Sequence, residues 1–273
     1  MLTEKTFDTG TVSLNYVEGP PSGAPLVMLH GVTTWWQTFL PVLPTFLMRY
    51  HIYALDLRGH GRSERAPGAY SIRHDAEDIV AFLREQVREP AILLGWSLGA
   101  IAALVVAAEA PTLVRAVVLE DPPLSALTAD DSSQAGFYER FSALRDVMMS
   151  DGSTADKQSA LAAIMPPNAD AANIRRRLKQ LSQCDPEELT LIIERKKFAP
   201  YHLETLLTRL ACPVLLLQGD PDLGGALTDQ DAALATPLLA DCTHVYLENV
   251  GHGIHSEQPV VFGRIVSDFL ESL

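Results

Sequence analysis

The chain has 273 residues, 47% of them hydrophobic and 20% charged, which suits a soluble globular enzyme with one large core. Acidic residues outnumber basic ones by 34 to 21, for a formal charge of −13, so a nucleic-acid backbone would meet a repulsive field and is not an expected partner. The longest apolar stretch, Ala100 to Ala108, stops at Glu109, short of the roughly 18 to 20 residues that a membrane span requires.

The N-terminal segment MLTEKTFDTG has neither an apolar core nor a small-residue cleavage site, and the chain is expected to be cytoplasmic with no membrane partner. Val12 to Val17 reads as an early strand. Leu26 to Leu29, entered through Pro25 and closed by Gly31, reads as a buried one, and His51 to Leu55 as the next. Ser71 to Val87 places Ile72, Ala76, Ile79, Val80 and Leu83 on one helical face. Ala91 to Leu94 is predicted as a strand, Leu98 to Glu109 as a helix apolar almost all round and therefore buried, and Val114 to Leu119 as a strand.

From Pro122 to Arg209 no strongly β-branched run occurs, helix formers dominate, and Pro166, Pro167, Pro186 and Pro200 divide the segment, which reads as a helical insertion. Strand signals return at Pro213 to Gln218 and Thr243 to Glu248, before a closing amphipathic helix from Pro259 to Leu270. The alternation predicts an α/β fold with a mostly parallel sheet flanked by helices, and a helical cap between the sixth and seventh strands. The expected division is a first core part over 1–121, a cap over 122–209 and a second core part over 210–273. Cys184, Cys212 and Cys242 are widely spaced with no CxxC or Cys/His cluster, as for reduced packing residues.

The strongest chemical signal is Gly95-Trp96-Ser97-Leu98-Gly99, between a predicted strand and the buried helix. A serine on so sharp a turn is lifted into a cleft, and the flanking glycines remove Cβ atoms that would clash. The amide of Leu98, at a helix start, is a candidate oxyanion donor. A serine nucleophile needs a base, and the base an orienting acid. Gly251-His252 follows the last predicted strand, and Asp222 lies beyond the preceding one, within Gly219-Asp220-Pro221-Asp222. Glu120 and Asp121, after the strand ending at Leu119, are less favoured for the acid and more apt to line a pocket or hold a loop.

These residues resemble the α/β-hydrolase superfamily, in its cap-bearing branch of esterases, lactonases, C–C hydrolases, epoxide hydrolases and haloalkane dehalogenases. The resemblance adds His30-Gly31, the segment Asp56-Leu57-Arg58-Gly59-His60-Gly61-Arg62-Ser63, and Gly251-His252-Gly253-Ile254-His255-Ser256-Glu257-Gln258-Pro259, similar to a GHxxHxExP pattern. It implies an α/β-hydrolase fold and a triad of Ser97, Asp222 and His252. Asp222 matches the fourth position of a G-x-x-D pattern and is preferred to Asp220. It also implies that the Val32 amide joins that of Leu98 in the oxyanion hole. His30 and His255 are read as structural. The trio His252, His255 and Glu257 could hold a metal, but no other ligand cluster accompanies it, so neither metal nor cofactor is expected.

Trp35, Trp36 and Trp96 are the three tryptophans of the chain. Their places beside the predicted oxyanion loop and nucleophile suggest an aromatic, hydrophobic substrate pocket. In the cap, Arg175-Arg176-Arg177 and Arg195-Lys196-Lys197 read first as solvated helix faces, with reception of an anionic substrate or an acidic carrier as the alternative. The expected activity is hydrolysis of a carboxylic ester or lactone of a small, largely hydrophobic molecule through an acyl-enzyme. Serine at 97 disfavours epoxide hydrolases and dehalogenases, which use aspartate there. A C–C hydrolase, a methyl ester esterase acting on a carrier protein, and a non-hydrolytic receptor or cofactor-free dioxygenase are the alternatives.

Overall fold

The computed structural model describes residues 1–128, 135–166 and 169–273. Eight strands, β1 (Thr3–Asp8), β2 (Ser13–Glu18), β3 (Pro25–Leu29), β4 (His51–Leu55), β5 (Ala91–Trp96), β6 (Val114–Glu120), β7 (Val214–Gln218) and β8 (Cys242–Tyr246), form one sheet in the order β1-β2-β4-β3-β5-β6-β7-β8. β1–β2 and β2–β4 pair antiparallel, and every later pair is parallel. The mostly parallel α/β architecture expected from the sequence is the one observed.

The helices are α1 (Leu43–Phe46), α2 (Ile72–Phe82), α3 (Leu98–Glu109), α4 (Ala135–Met149), α5 (Thr154–Ile164), α6 (Ala171–Ser182), α7 (Pro186–Ile193), α8 (Leu203–Leu207), α9 (Asp229–Ala235), α10 (Ile254–Glu257) and α11 (Pro259–Glu271). They cover both faces of the sheet. Along β3, Val27 and Leu29 join the cluster formed with α2, α3 and α8, whereas Leu26 and Met28 join the one formed with α1 and α11. A strand whose successive side chains both enter a core must be apolar throughout, which is why β3, β5 and β7 read as continuous runs. α3 is buried from Leu98 to Ala108 and so lacks the polar stripe of a surface helix.

β1 had no counterpart in the sequence reading, because its residues are exposed except for a half-buried Phe7. An edge strand without a buried face carries no apolar alternation. β6 runs one residue beyond the predicted Leu119, to Glu120, and β8 spans Cys242–Tyr246 rather than reaching Glu248.

Between β6 and β7 the described α-helices are α4 to α8; Pro167 lies outside the described residues. Leu144, Val147, Leu161, Leu181, Leu189 and Ile192 form a separate apolar cluster there. Leu124, Leu127, Phe198, Leu203, Leu206 and Leu207 belong instead to the main core. The two ends of the insert are therefore packed into the body beneath it. Among the described residues, no helix is long and apolar enough to cross a membrane.

Candidate active site

Ser97 sits between β5 and α3 with φ 55° and ψ −115°, backbone angles that an L residue holds only where its surroundings enforce them. The flanking glycines show the enforcement. A Cβ on Gly95 would lie 2.2 Å from the Gly99 carbonyl oxygen, and one on Gly99 2.0 Å from that of Leu29. The Ser97 amide donates to the Glu120 carbonyl at 3.0 Å, tying the turn to the tip of β6.

The amide of Leu98 opens α3, where a helix leaves its N–H groups without internal partners. Gly31 brings a second loop against the serine: a Cβ there would stand 3.1 Å from the Ser97 Cβ. Among the described residues, the Val32 and Leu98 amides donate to no protein acceptor. His30 steadies this loop. Its Nδ1 contacts the Gly31 carbonyl at 2.8 Å and its Nε2 accepts the Leu57 amide at 2.9 Å. Burial above all, with the neighbouring His60 ring, pushes its pKa down to about 3, so the ring is neutral and carries its proton on Nδ1.

His252 is half-buried in the loop before α10, and its Nδ1 lies 2.6 Å from Asp121 Oδ2. An ionised carboxylate only accepts, which places the proton on Nδ1 and leaves Nε2 as the basic nitrogen. Asp121 is fully buried. Its Oδ2 also accepts the Ala226 amide at 2.6 Å, and Oδ1 accepts the amides of Gly219 and Leu227 at 3.0 and 3.3 Å. Four donors thus satisfy a charge that would otherwise be costly to bury.

The carboxylate that meets His252 is thus Asp121, where the sequence reading expected Asp222. Asp222 is exposed, on the turn Pro221–Leu223, while Asp220 Oδ1 accepts the Asp222 amide at 3.0 Å and caps that turn. The loop after β7 contributes amides to the carboxylate instead of contributing the carboxylate. The strand register explains the alternative position. Trp96 pairs with Glu120 across β5 and β6, so the next residues along the two strands are Ser97 and Asp121. Both have positive φ, 55° and 45°, and both turn out of the sheet at the same edge. The one-residue extension of β6 is the signal that was missed.

Glu120 and His255 form a second pair beneath the first. Glu120 Oε1 accepts the His255 amide at 2.8 Å and contacts its Nδ1 at 2.8 Å, and His255 Nε2 meets Thr38 Oγ1 at 2.9 Å. Glu257 accepts the amides of Gly251 and Gly253. His252, His255 and Glu257 are thereby committed to different partners, and no metal-binding group is found among the described residues.

Trp96, expected in the substrate pocket, is engaged elsewhere. Its Nε1 donates to the His252 carbonyl at 2.7 Å and its ring centroid lies 5.2 Å from that of His252 and 5.0 Å from that of His255. It braces the histidine loop. The Trp36 amide donates to Asp56 Oδ1 at 2.8 Å and its ring packs on the core shared with α1 and α11. Trp35 remains beside the insert, with the Lys179 ammonium 5.8 Å from its ring centroid. The glycine-rich Asp56–Ser63 segment is structural: Arg58 pairs with Asp78, and Asp56 accepts from Asn15, Trp36 and Arg62.

The basic clusters of the insert are not simply solvated faces. Arg175 and Arg176 are exposed, but half-buried Arg177 donates to the Thr33 carbonyl at 3.0 Å and to Thr33 Oγ1 at 2.6 Å. Lys197 is fully buried, 2.7 Å from both Asp75 Oδ2 and Glu188 Oε2.

Known proteins share this framework. The model of the alpha/beta hydrolase family matches residues 26–264. A pimeloyl-[acyl-carrier protein] methyl ester esterase of Vibrio campbellii is 30% identical over 212 residues, covering 73% of this chain and 77% of that protein. A 2-(acetamidomethylene)succinate hydrolase of Mesorhizobium japonicum is 34% identical over 147 residues, about half of each chain, at 51% and 52%. The crystal structure of E-2-(acetamidomethylene)succinate hydrolase superposes with a TM-score of 0.80 at 23% identity, covering 99% of this chain and all of that one. The elbow at Ser97, the parallel sheet that carries it and the match along most of the chain place this protein in the alpha/beta hydrolase family.

Proposed function

We propose that this protein is a serine hydrolase that cleaves a carboxylic ester, with a lactone as the nearest variant, through an acyl-enzyme. The observation that carries the reading is the 2.6 Å contact between His252 Nδ1 and buried Asp121, at the sheet edge where Ser97 turns outward. Asp121 holds the imidazole in the tautomer that frees Nε2, and stabilises the imidazolium that forms. His252 removes the proton of Ser97 as Oγ attacks the carbonyl. The Val32 and Leu98 amides, which have no protein acceptor among the described residues, receive the oxyanion. Collapse expels the alcohol, protonated by His252, and water activated by the same nitrogen then releases the acid. No step draws on a cofactor.

An ester substrate is supported by the methyl ester esterase among the relatives, and an apolar substrate body by Trp35 near the loop and by Val32, which packs against both the main core and the cluster of the insert. The test uses p-nitrophenyl butyrate. The wild type should give a burst followed by turnover, and Ser97→Ala should reduce the rate by at least about 10³-fold with the circular dichroism spectrum unchanged. Equal turnover by the variant would overturn the mechanism.

A further inference from the structure

Buried cations elsewhere in the fold are matched by carboxylates. Arg58 donates to both oxygens of Asp78 at 2.8 and 2.7 Å, and Lys197 lies between Asp75 and Glu188. Arg177 is different. Among the described residues no carboxylate meets it, although the chain carries 34 acidic residues against 21 basic ones. Its hydrogen bonds go to neutral oxygens, those of Thr33 and, at 3.4 Å, Gln180 Oε1. A guanidinium has five N–H groups, so among the described residues Nε–H and one Nη2–H stay uncommitted.

Burial lowers the pKa of Arg177 to about 10, which leaves it charged at neutral pH. A half-buried cation that meets no carboxylate is stabilised by an anion placed on its free N–H groups.

The position links this arginine to the reaction. Thr33, which Arg177 grips by both its carbonyl and its hydroxyl, directly follows Val32. Thr33 is fully buried with φ 63°, so the loop that presents the Val32 amide and the guanidinium beside it are held as one unit. A molecule with its carbonyl oxygen on the Val32 amide thus has Arg177 next along the backbone.

We propose that Arg177 receives a carboxylate of the substrate, so that the ester cleaved at Ser97 carries a free carboxylate on the part facing the helical insert. This deepens the serine-hydrolase reading and rests on it for the site of cleavage. A purely structural Arg177, serving only to hold Thr33, would affect charged and neutral substrates alike.

The experiment compares mono-p-nitrophenyl glutarate with p-nitrophenyl pentanoate, which differ in the terminal carboxylate. The wild type should favour the charged ester in kcat/KM by at least about tenfold. Arg177→Gln should lower that ratio by about 10- to 100-fold, and Arg177→Lys should retain part of it. Independently of turnover, glutarate should raise the Tm of Ser97→Ala but not that of Ser97→Ala combined with Arg177→Gln. A ratio near one in the wild type that Arg177→Gln does not change, or a glutarate shift that survives loss of Arg177, overturns the inference while leaving the serine mechanism standing. Absence of Ser97-dependent turnover with both esters, alongside an Arg177-dependent glutarate shift, would instead sink the hydrolase reading and keep the carboxylate site.

Discussion

Asp121 holds His252 through Oδ2 and anchors the loop after β7 through both oxygens, which accept the amides of Gly219, Ala226 and Leu227. A carboxylate fixed by three amides leaves its histidine little freedom to swing, which suits a base that must meet Ser97 in one orientation. Trp96 restrains the same histidine from its backbone side. Trp96→Phe keeps an aromatic ring at this place and removes the hydrogen bond to the His252 carbonyl together with part of the indole packing. We expect kcat with p-nitrophenyl butyrate to fall about tenfold, with KM little changed and a stability loss of about 1 kcal/mol, measured by steady-state kinetics and urea unfolding. An unchanged kcat would mean that this bond does not position the base.

At the scale of elements, β6 serves both histidines. Its last residue, Glu120, receives His255, and the residue beyond it, Asp121, receives His252, so one strand end holds both α10 and the loop before it. The insert is joined to the core by a comparable device, Lys197 reaching Asp75 on α2 and Glu188 on α7. Lys197→Met would strand two buried carboxylates and should cost about 3 to 5 kcal/mol in urea unfolding. The same cluster predicts a pH dependence. Burial first, and the Glu188 carboxylate against the opposing pull of Lys197, raise Asp75 from 3.8 to about 6. The folded state therefore binds this proton more tightly than the unfolded chain does. Stability from this group is complete below about pH 4 and is lost as pH rises through about 6. Urea titrations should show the wild type losing ground to Asp75→Asn between pH 4 and 7, and a difference independent of pH would contradict the linkage.

Across the whole molecule, the parts that sequence made legible are those whose residues answer to local physics. β3, β5 and β7 are buried on both faces and read as apolar runs, α3 reads as a helix without a polar side, and the serine turn needs its glycines whatever surrounds it. β1 was illegible because an exposed edge strand has no buried face to pattern it. Arg175, Arg176 and Arg177 looked alike in sequence, yet successive helical residues point about 100° apart, and only one of the three turns toward Thr33. The carboxylate partner of His252 differs from the expected Asp222 for a related reason. Asp222 fits a family spacing, whereas Asp121 is identified by the register of β5 against β6 and by donors contributed from the loop after β7, none of which a linear pattern displays. The central claim is that Ser97, His252 and Asp121 act as one unit, and the most direct test compares Asp121→Asn with Asp222→Asn in p-nitrophenyl ester hydrolysis. Asp121→Asn should lower kcat by about 10⁴-fold, with Asp222→Asn within about threefold of the wild type; the reverse order would contradict the account.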